Sequence, residues 1–237
     1  MVRWLALALL LAGAPAGAQC RLALALGMDI SASVDAREYG LMMRGTATAL
    51  LSDPVRAALF ADRPVALAAY VWAGRREQAV VLNWALIDSE AALEAFAADL
   101  ARYPRPRGDP IAGWAGMTAV GAAMLTGRSL LARAPDCDAL VLDIAGDGVN
   151  NDGPEPGPMR AEMGDVTVNA LAVAGAVGPG HLDYDPDGPT LAEWMRRNVI
   201  TGPGAFVEPA ANYDDFERAM QRKLERELTP PLLGLAR

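Results

Sequence analysis

The stretch 22-LALALGMDISASVD-35 decides how the chain folds. Its first half is a continuous apolar run, the pattern of a strand covered on both faces in a parallel sheet. The run stops at Asp29. Ser31 and Ser33 follow at alternate positions, and a segment with helical spacing begins at residue 34. Tyr39, Met42, Met43, Ala47 and Leu50 recur there as one apolar stripe, with Asp35 and Glu38 in the first turn. Asp53-Pro54 ends it. A buried strand that ends in an acid and two hydroxyls is ambiguous by itself. It reads as a helix cap, a cation site, a phosphatase nucleophile or a turn.

Working outward, 65-VALAAYVW-72 and 78-QAVVLNWALI-87 read as strands close enough to pair as a hairpin around Gly74. Ser89 and Glu90 open a helix to about Tyr103. The Pro- and Gly-rich 104-PRPRGDPIAGWAGM-117 reads as a loop, and Thr118 to about Arg133 as a helix. Strands at 139–145, 166–173 and 205–209, a short helix at 190–198 and an amphipathic one at 212–228 complete the chain. The segments 146–158 and 174–188 read as loops. Strands alternating with helices imply a doubly wound α/β sheet, mostly parallel, with one short antiparallel edge strand. Such folds bind ligands at the carboxyl ends of their strands. Three polar features fall there: Asp29-Ser31-Ser33, Gly116-Met117-Thr118 and Asp147-Gly148.

Composition narrows the function. The 237 residues are 52% hydrophobic and 21% charged, with a formal net charge of -8. One domain is the expectation, and disorder is not. Lys223 is the only lysine and there is no basic block, which argues against nucleic acid and anionic membranes as partners. At the amino end, Arg3, the apolar 4-WLALALLLA-12 and the small residues up to Ala16 and Ala18 form a secretory signal, with cleavage expected after Ala18. The apolar core is shorter than the roughly 20 residues of a spanning helix. A lipoprotein would use Cys20, but Gln19 stands where a small residue belongs. The expectation is a periplasmic or secreted protein without a transmembrane segment. It comprises residues 1–18 as signal, 19–228 as one domain and 229–237 as a loose tail.

A hard divalent cation wants several oxygens and keeps some waters. Asp29, Ser31, Ser33, Thr118 and Asp147 offer five oxygen side chains from three loops, with only two formal negative charges. Such a shell is under-coordinated and leaves a position for an outside oxygen.

In this combination the sequence resembles the von Willebrand factor A domain. The resemblance rests on 29-DISAS-33, 116-GMT-118 and 147-DG-148 in that order, and it extends over essentially the chain beyond the signal. The stretches 29-DISASVDAREYGLMMRG-45, 144-IAGDGVNN-151 and 198-NVITGPGAFVEPA-210 are similar to an uncharacterised group of exported bacterial proteins with this domain. The resemblance implies a Rossmann-like sheet and a metal-ion-dependent adhesion site. Its ligands would be Asp29, Ser31, Ser33, Thr118 and Asp147, its cation Mg2+ or Mn2+, and its partner a protein presenting an Asp or Glu carboxylate. One departure stands out. The family's commoner T-D-G is 146-GDG-148 here, so a hydroxyl near the shell is missing. In a sheet of this type the strands ending at Asp29 and Asp147 are neighbours. Cys20 and Cys137, the two cysteines, lie nine and ten residues before those acids and are expected to form a disulfide at the opposite pole.

Other residues weigh less. His181 sits in a loop with Asp183, Asp185 and Asp187, a second cation site or a solvated loop. As the only histidine it would have to serve any Ser-His-Asp hydrolase, but no G-x-S-x-G accompanies it. Asp143 lies inside a strand and reads as a group orienting the metal loops or as a structural acid bonded to backbone. Asn150, Asn151 and Asp152 read as turn formers, Trp114 as core or binding face, and 107-RGD-109 as a chance match to an adhesion tripeptide. The expected function is a binding module and not an enzyme. A phosphatase using Asp29 would want a second acid where Ser31 stands. A dinucleotide binder would want G-x-G-x-x-G after the first strand. A metal-free scaffold remains the other alternative.

Overall fold

The computed structural model describes residues 20–106, 116–174 and 188–230. The signal segment 1–18, Gln19, the 107-RGD-109 tripeptide, Trp114, the His181 loop with its three acids, and the tail beyond Pro230 lie outside the described residues.

Six strands form one sheet: β1 (Cys20–Asp29), β2 (Val65–Trp72), β3 (Gln78–Ile87), β4 (Cys137–Gly146), β5 (Thr167–Val173) and β6 (Val207–Ala210). Their spatial order is β3-β2-β1-β4-β5-β6. Every pairing is parallel except β2 with β3, the hairpin expected around Gly74. The antiparallel edge strand is not short: β3 runs 10 residues, as many as β1.

The helices are α1 (Ala36–Leu51), α2 (Asp53–Leu59), α3 (Glu90–Arg102), α4 (Val120–Leu131), α5 (Pro156–Met159), α6 (Leu191–Asn198) and α7 (Phe216–Leu228). Asp53-Pro54 does end α1, but it also begins α2, because proline is tolerated at a first helical turn. Helix α5 begins inside the segment 146–158 read as loop, started again by a proline, and a 3-10 turn at Arg160–Met163 follows it.

The apolar run of β1 divides its side chains by alternation. Leu22, Leu24, Leu26 and Met28 join one core with residues of α1, α2, α3 and α7. Ala23 and Ala25 join a second core with residues of α4 and α6. Both faces are therefore covered, which explains why the strand is apolar throughout. From β1 the chain winds outward through β2 to β3, and from β4 it winds the other way through β5 to β6. The order reverses between β1 and β4, so the crevice at their carboxyl ends is the switch point where such sheets bind ligands.

At the opposite pole, Cys20 pairs in register with Cys137. The structure joins them in a disulfide, with Cα atoms 4.5 Å apart.

Candidate metal centre

Asp29 is the last residue of β1, and Asp147 directly follows the last residue of β4. Both carboxylates are buried, at 0% and 2% exposure, with Ser31 at 0% and Thr118 at 5%. The turn after β1 folds over Asp29, whose Oδ1 accepts the Ser31 amide at 2.7 Å. Ser31 Oγ lies 3.0 Å from Ser33 Oγ. Ser33 Oγ in turn donates to Asp147 Oδ1 at 2.7 Å, bridging the two strand ends. Thr118 completes the cluster from the third loop. A Cβ placed on Gly148 would lie 3.3 Å from its Oγ1. Residues from three loops, far apart in sequence, are thus brought to one place.

None of these side chains is spent on a helix cap. The cap of α1 is Asp35, which accepts the Glu38 amide while Glu38 returns a carboxylate oxygen to the Asp35 amide. The N-cap position of α4 is Ala119, whose side chain cannot cap. Its Gly121 amide instead donates to Asn150 Oδ1 at 3.3 Å.

Among the described residues two carboxylate oxygens of the cluster find no hydrogen-bond partner: Asp29 Oδ2 and Asp147 Oδ2 are buried and unbonded. Burial, then the charge of Asp147, pushes the Asp29 carboxyl up to about 8, against the hydrogen bonds from Ser31. Burial also raises Asp147, against the hydrogen bond from Ser33. The Tyr213 hydroxyl is buried near both acids without a well-formed hydrogen bond. Orphaned buried carboxylate oxygens are costly, and a bound cation satisfies them. The donor set of two acids and three hydroxyls suits a hard cation. Among the described residues no group of three or more His, Cys, Asp or Glu is placed to hold a metal ion, so a cation here would depend on the hydroxyls beside the two acids.

Gly146, where the family more often has threonine, is explained by its neighbours. A Cβ there would stand 3.0 Å from Asp29 Oδ2 and 3.2 Å from the Trp72 ring. Trp72 pairs in register with Asp29 and is fully buried. Its indole takes the space that a threonine side chain would need.

The loop after Asp147 does more than turn. Asn151 Oδ1 accepts the Thr118 amide at 2.7 Å, and the Asn151 amide donates to the Thr118 carbonyl at 2.8 Å. Asp152 accepts the Arg75 amide at 2.8 Å, tying the same loop to the β2–β3 turn. Gly116, at φ 65°, has its carbonyl 3.0 Å from the Ala32 amide, and a side chain on it would collide with Ala32.

Asp143 plays neither role expected of it. It is one of two acids around Lys223, at 2.7 Å from Nζ, while Glu227 lies at 2.5 Å on the other side. All three side chains are at most 1% exposed. Asn169 donates to Glu227 at 2.7 Å and accepts the Phe206 amide at 3.0 Å. The cluster ties α7 to the sheet, and none of these contacts reaches the strand-end loops of the candidate site. Sequence reasoning missed it because a lysine on a charged helix looks solvated; its uniqueness in the chain was the available signal.

The doubly wound order, the hairpin edge and the acid-hydroxyl cluster at the switch point define a von Willebrand factor A-like domain. The chain belongs to the family described as "Protein of unknown function (DUF1194)", whose model matches residues 19–232. A sequence comparison with curated proteins finds no match. Solved structures share the fold. Proximal thread matrix protein 1 from the mussel byssus, with a zinc-occupied MIDAS motif, is 17% identical with a TM-score of 0.58, over 89% of this chain and 46% of its own. The pilus adhesin SpaC from Lactobacillus rhamnosus GG is 12% identical with a TM-score of 0.60, over 90% of this chain and 31% of its own. The von Willebrand factor type A protein from Catenulispora acidiphila is 13% identical with a TM-score of 0.56, over 88% of this chain and 43% of its own. The chain therefore spans less than half the length of each of these structures. Among the described residues no helix is long and apolar enough to cross a membrane.

Proposed function

We propose that this chain is an exported, metal-ion-dependent protein-binding module. The observation that carries the reading is the pair of buried, unpartnered carboxylate oxygens on Asp29 and Asp147 at the sheet's switch point, with the Ser31, Ser33 and Thr118 hydroxyls beside them. These five side chains would hold Mg2+ or Mn2+. The bound cation would act as an electrophile with a position open to an Asp or Glu carboxylate of the partner protein. Two acids against a divalent charge leave no excess negative charge to repel that carboxylate. The module acts by binding and not by catalysis, since the position two residues after Asp29 is Ser31 and offers no second acid. Export is supported by the amino-terminal signal pattern and by the disulfide, a bond that persists in oxidising compartments. The adhesin and the zinc-occupied motif among the structures of like fold agree with this reading.

The test is capture of periplasmic proteins on the immobilised chain, with Mg2+ or with EDTA, and on Asp29→Ala. The expected result is a partner retained by wild type in Mg2+ and lost in both other conditions. A partner held equally in EDTA and by Asp29→Ala would overturn the reading.

A further inference from the structure

The guanidinium of Arg105 gathers three backbone carbonyls of the turn between β1 and α1. Its Nη1 donates to the Val34 carbonyl at 2.6 Å, and its Nη2 to the Ile30 and Ser31 carbonyls at 3.0 and 3.3 Å. These residues interleave with the candidate ligands: Ile30 lies between Asp29 and Ser31, Ser31 is itself one, and Val34 follows Ser33. The segment that carries the arginine is tied to α1 just before it, where the Tyr39 hydroxyl donates to the Tyr103 carbonyl at 3.1 Å. Three amide bonds of the turn point in other directions. The Ile30 amide donates to the Trp72 carbonyl at 2.8 Å, the Ala32 amide to the Gly116 carbonyl at 3.0 Å, and the Ser31 amide to Asp29 Oδ1 at 2.7 Å. Within the turn the Val34 amide donates to the Ser31 carbonyl at 3.1 Å, so that carbonyl is shared between Val34 and Arg105, while the Ile30 and Val34 carbonyls turn to the arginine.

We propose that Arg105 is a positioning residue of the cation site, acting through the Ser31 backbone on the Ser31 hydroxyl and the Asp29 carboxylate. The inference rests on the metal-binding reading above. A planar guanidinium with donors in a fixed fork defines the directions of several carbonyls at once, which a lysine ammonium does not. With the Ile30 carbonyl turned toward Arg105, and the Ser31 carbonyl toward Arg105 and the Val34 amide, the peptide planes at Ile30–Ser31 and Ser31–Ala32 are set. The Ser31 amide is thereby aimed at Asp29 and its hydroxyl held beside Ser33. Groups that orient ligands in this way change cation affinity by about ten- to a hundredfold when removed.

Mn2+ binding is measured by calorimetry on wild type, Asp29→Ala, Arg105→Met, Arg105→Lys, Ser31→Ala and the Arg105→Met/Ser31→Ala double variant. Thermal unfolding is followed in EDTA for each. The expected result is a loss of about ten- to a hundredfold for Arg105→Met and a smaller loss for Arg105→Lys. The double variant should lose less than the product of the two single losses, because both changes act on the Ser31 hydroxyl while Arg105 also acts on Asp29 through the Ser31 amide. If Arg105→Met and Arg105→Lys keep wild-type affinity, even with a lowered unfolding midpoint, Arg105 only stabilises the fold and the proposal fails. It also fails if the losses of Arg105→Met and Ser31→Ala multiply. If wild type itself binds no cation, the metal-binding reading falls and this inference with it. Arg105→Lys, the milder change, keeps the test decisive should Arg105→Met not fold.

Discussion

Asp29 concentrates the conflict between stability and function in this molecule. Its carboxylate is fully buried beside a second buried acid, and one of its oxygens has no partner among the described residues. Burial and the charge of Asp147 push its carboxyl up to about 8, so folding without a cation costs free energy at neutral pH. The substitution Asp29→Asn keeps an oxygen to accept the Ser31 amide while removing the charge. It should therefore abolish cation binding in a calorimetric titration. In EDTA at pH 7 the variant should unfold at higher urea than wild type, because it carries no charge to bury beside Asp147. A variant that unfolds at lower urea than wild type under those conditions would show that the acid pair is no such liability.

At the scale of the element, α7 is held by one buried ion cluster. Lys223 reaches from the helix to Asp143 of β4, with Glu227 one turn on. Burial alone would lower the Lys223 ammonium, but Asp143 and Glu227 outweigh it and raise it. Lys223→Met leaves two buried carboxylates without their cation and should cost about 3–5 kcal/mol in urea unfolding. Adding Asp143→Asn should recover part of that loss. The cluster also makes stability pH-dependent. Burial, with Glu227 adding to it and Lys223 opposing it, lifts Asp143 to about 7, above its unfolded value of 3.8. The folded state then binds more protons. The contribution is complete below the unfolded value and is lost as pH rises through about 7. The unfolding midpoint in EDTA should fall as pH rises from about 4 to about 7, and fall less steeply in Asp143→Asn. Asp29 and Asp147, raised in the same direction, account for the slope that remains.

At the scale of the whole molecule, β1 and β4 are joined at both poles. The disulfide ties their amino ends across a sequence separation of 117, and the Ser33–Asp147 hydrogen bond bridges their carboxyl ends. A crosslink over so long a loop acts mainly on the unfolded chain, at about 2–5 kcal/mol. Replacing both cysteines by alanine should lower the thermal midpoint by roughly 5–15 °C for a domain of this size. Mn2+ affinity of the folded variant should stay within about twofold, because the change lies at the far pole from the site and distant effects are independent. A large loss of affinity would mean that the two poles are coupled through the strands.

The sequence by itself determined the six strands, their mostly parallel arrangement and the candidate ligands, because each leaves a local mark. Fully apolar runs signal strands covered twice, and an acid or hydroxyl at a strand end interrupts them visibly. The order of Asp29-x-Ser31-x-Ser33, Thr118 and Asp147 carried the family likeness in the same way. Tertiary structure decided what each polar group touches. The Asx-type bond at Ser31, the Ser33 bridge to Asp147, the Asn151 hold on Thr118, the Arg105 clamp and the Lys223–Asp143–Glu227 cluster all depend on geometry that no run of neighbouring residues spells out. Gly146 belongs with them, since the space beside it is filled by Trp72 from another strand. The division has one cause. Hydrophobic periodicity is a property of successive residues, whereas the partner of a buried charge or carbonyl is supplied by whichever distant segment the fold brings within reach.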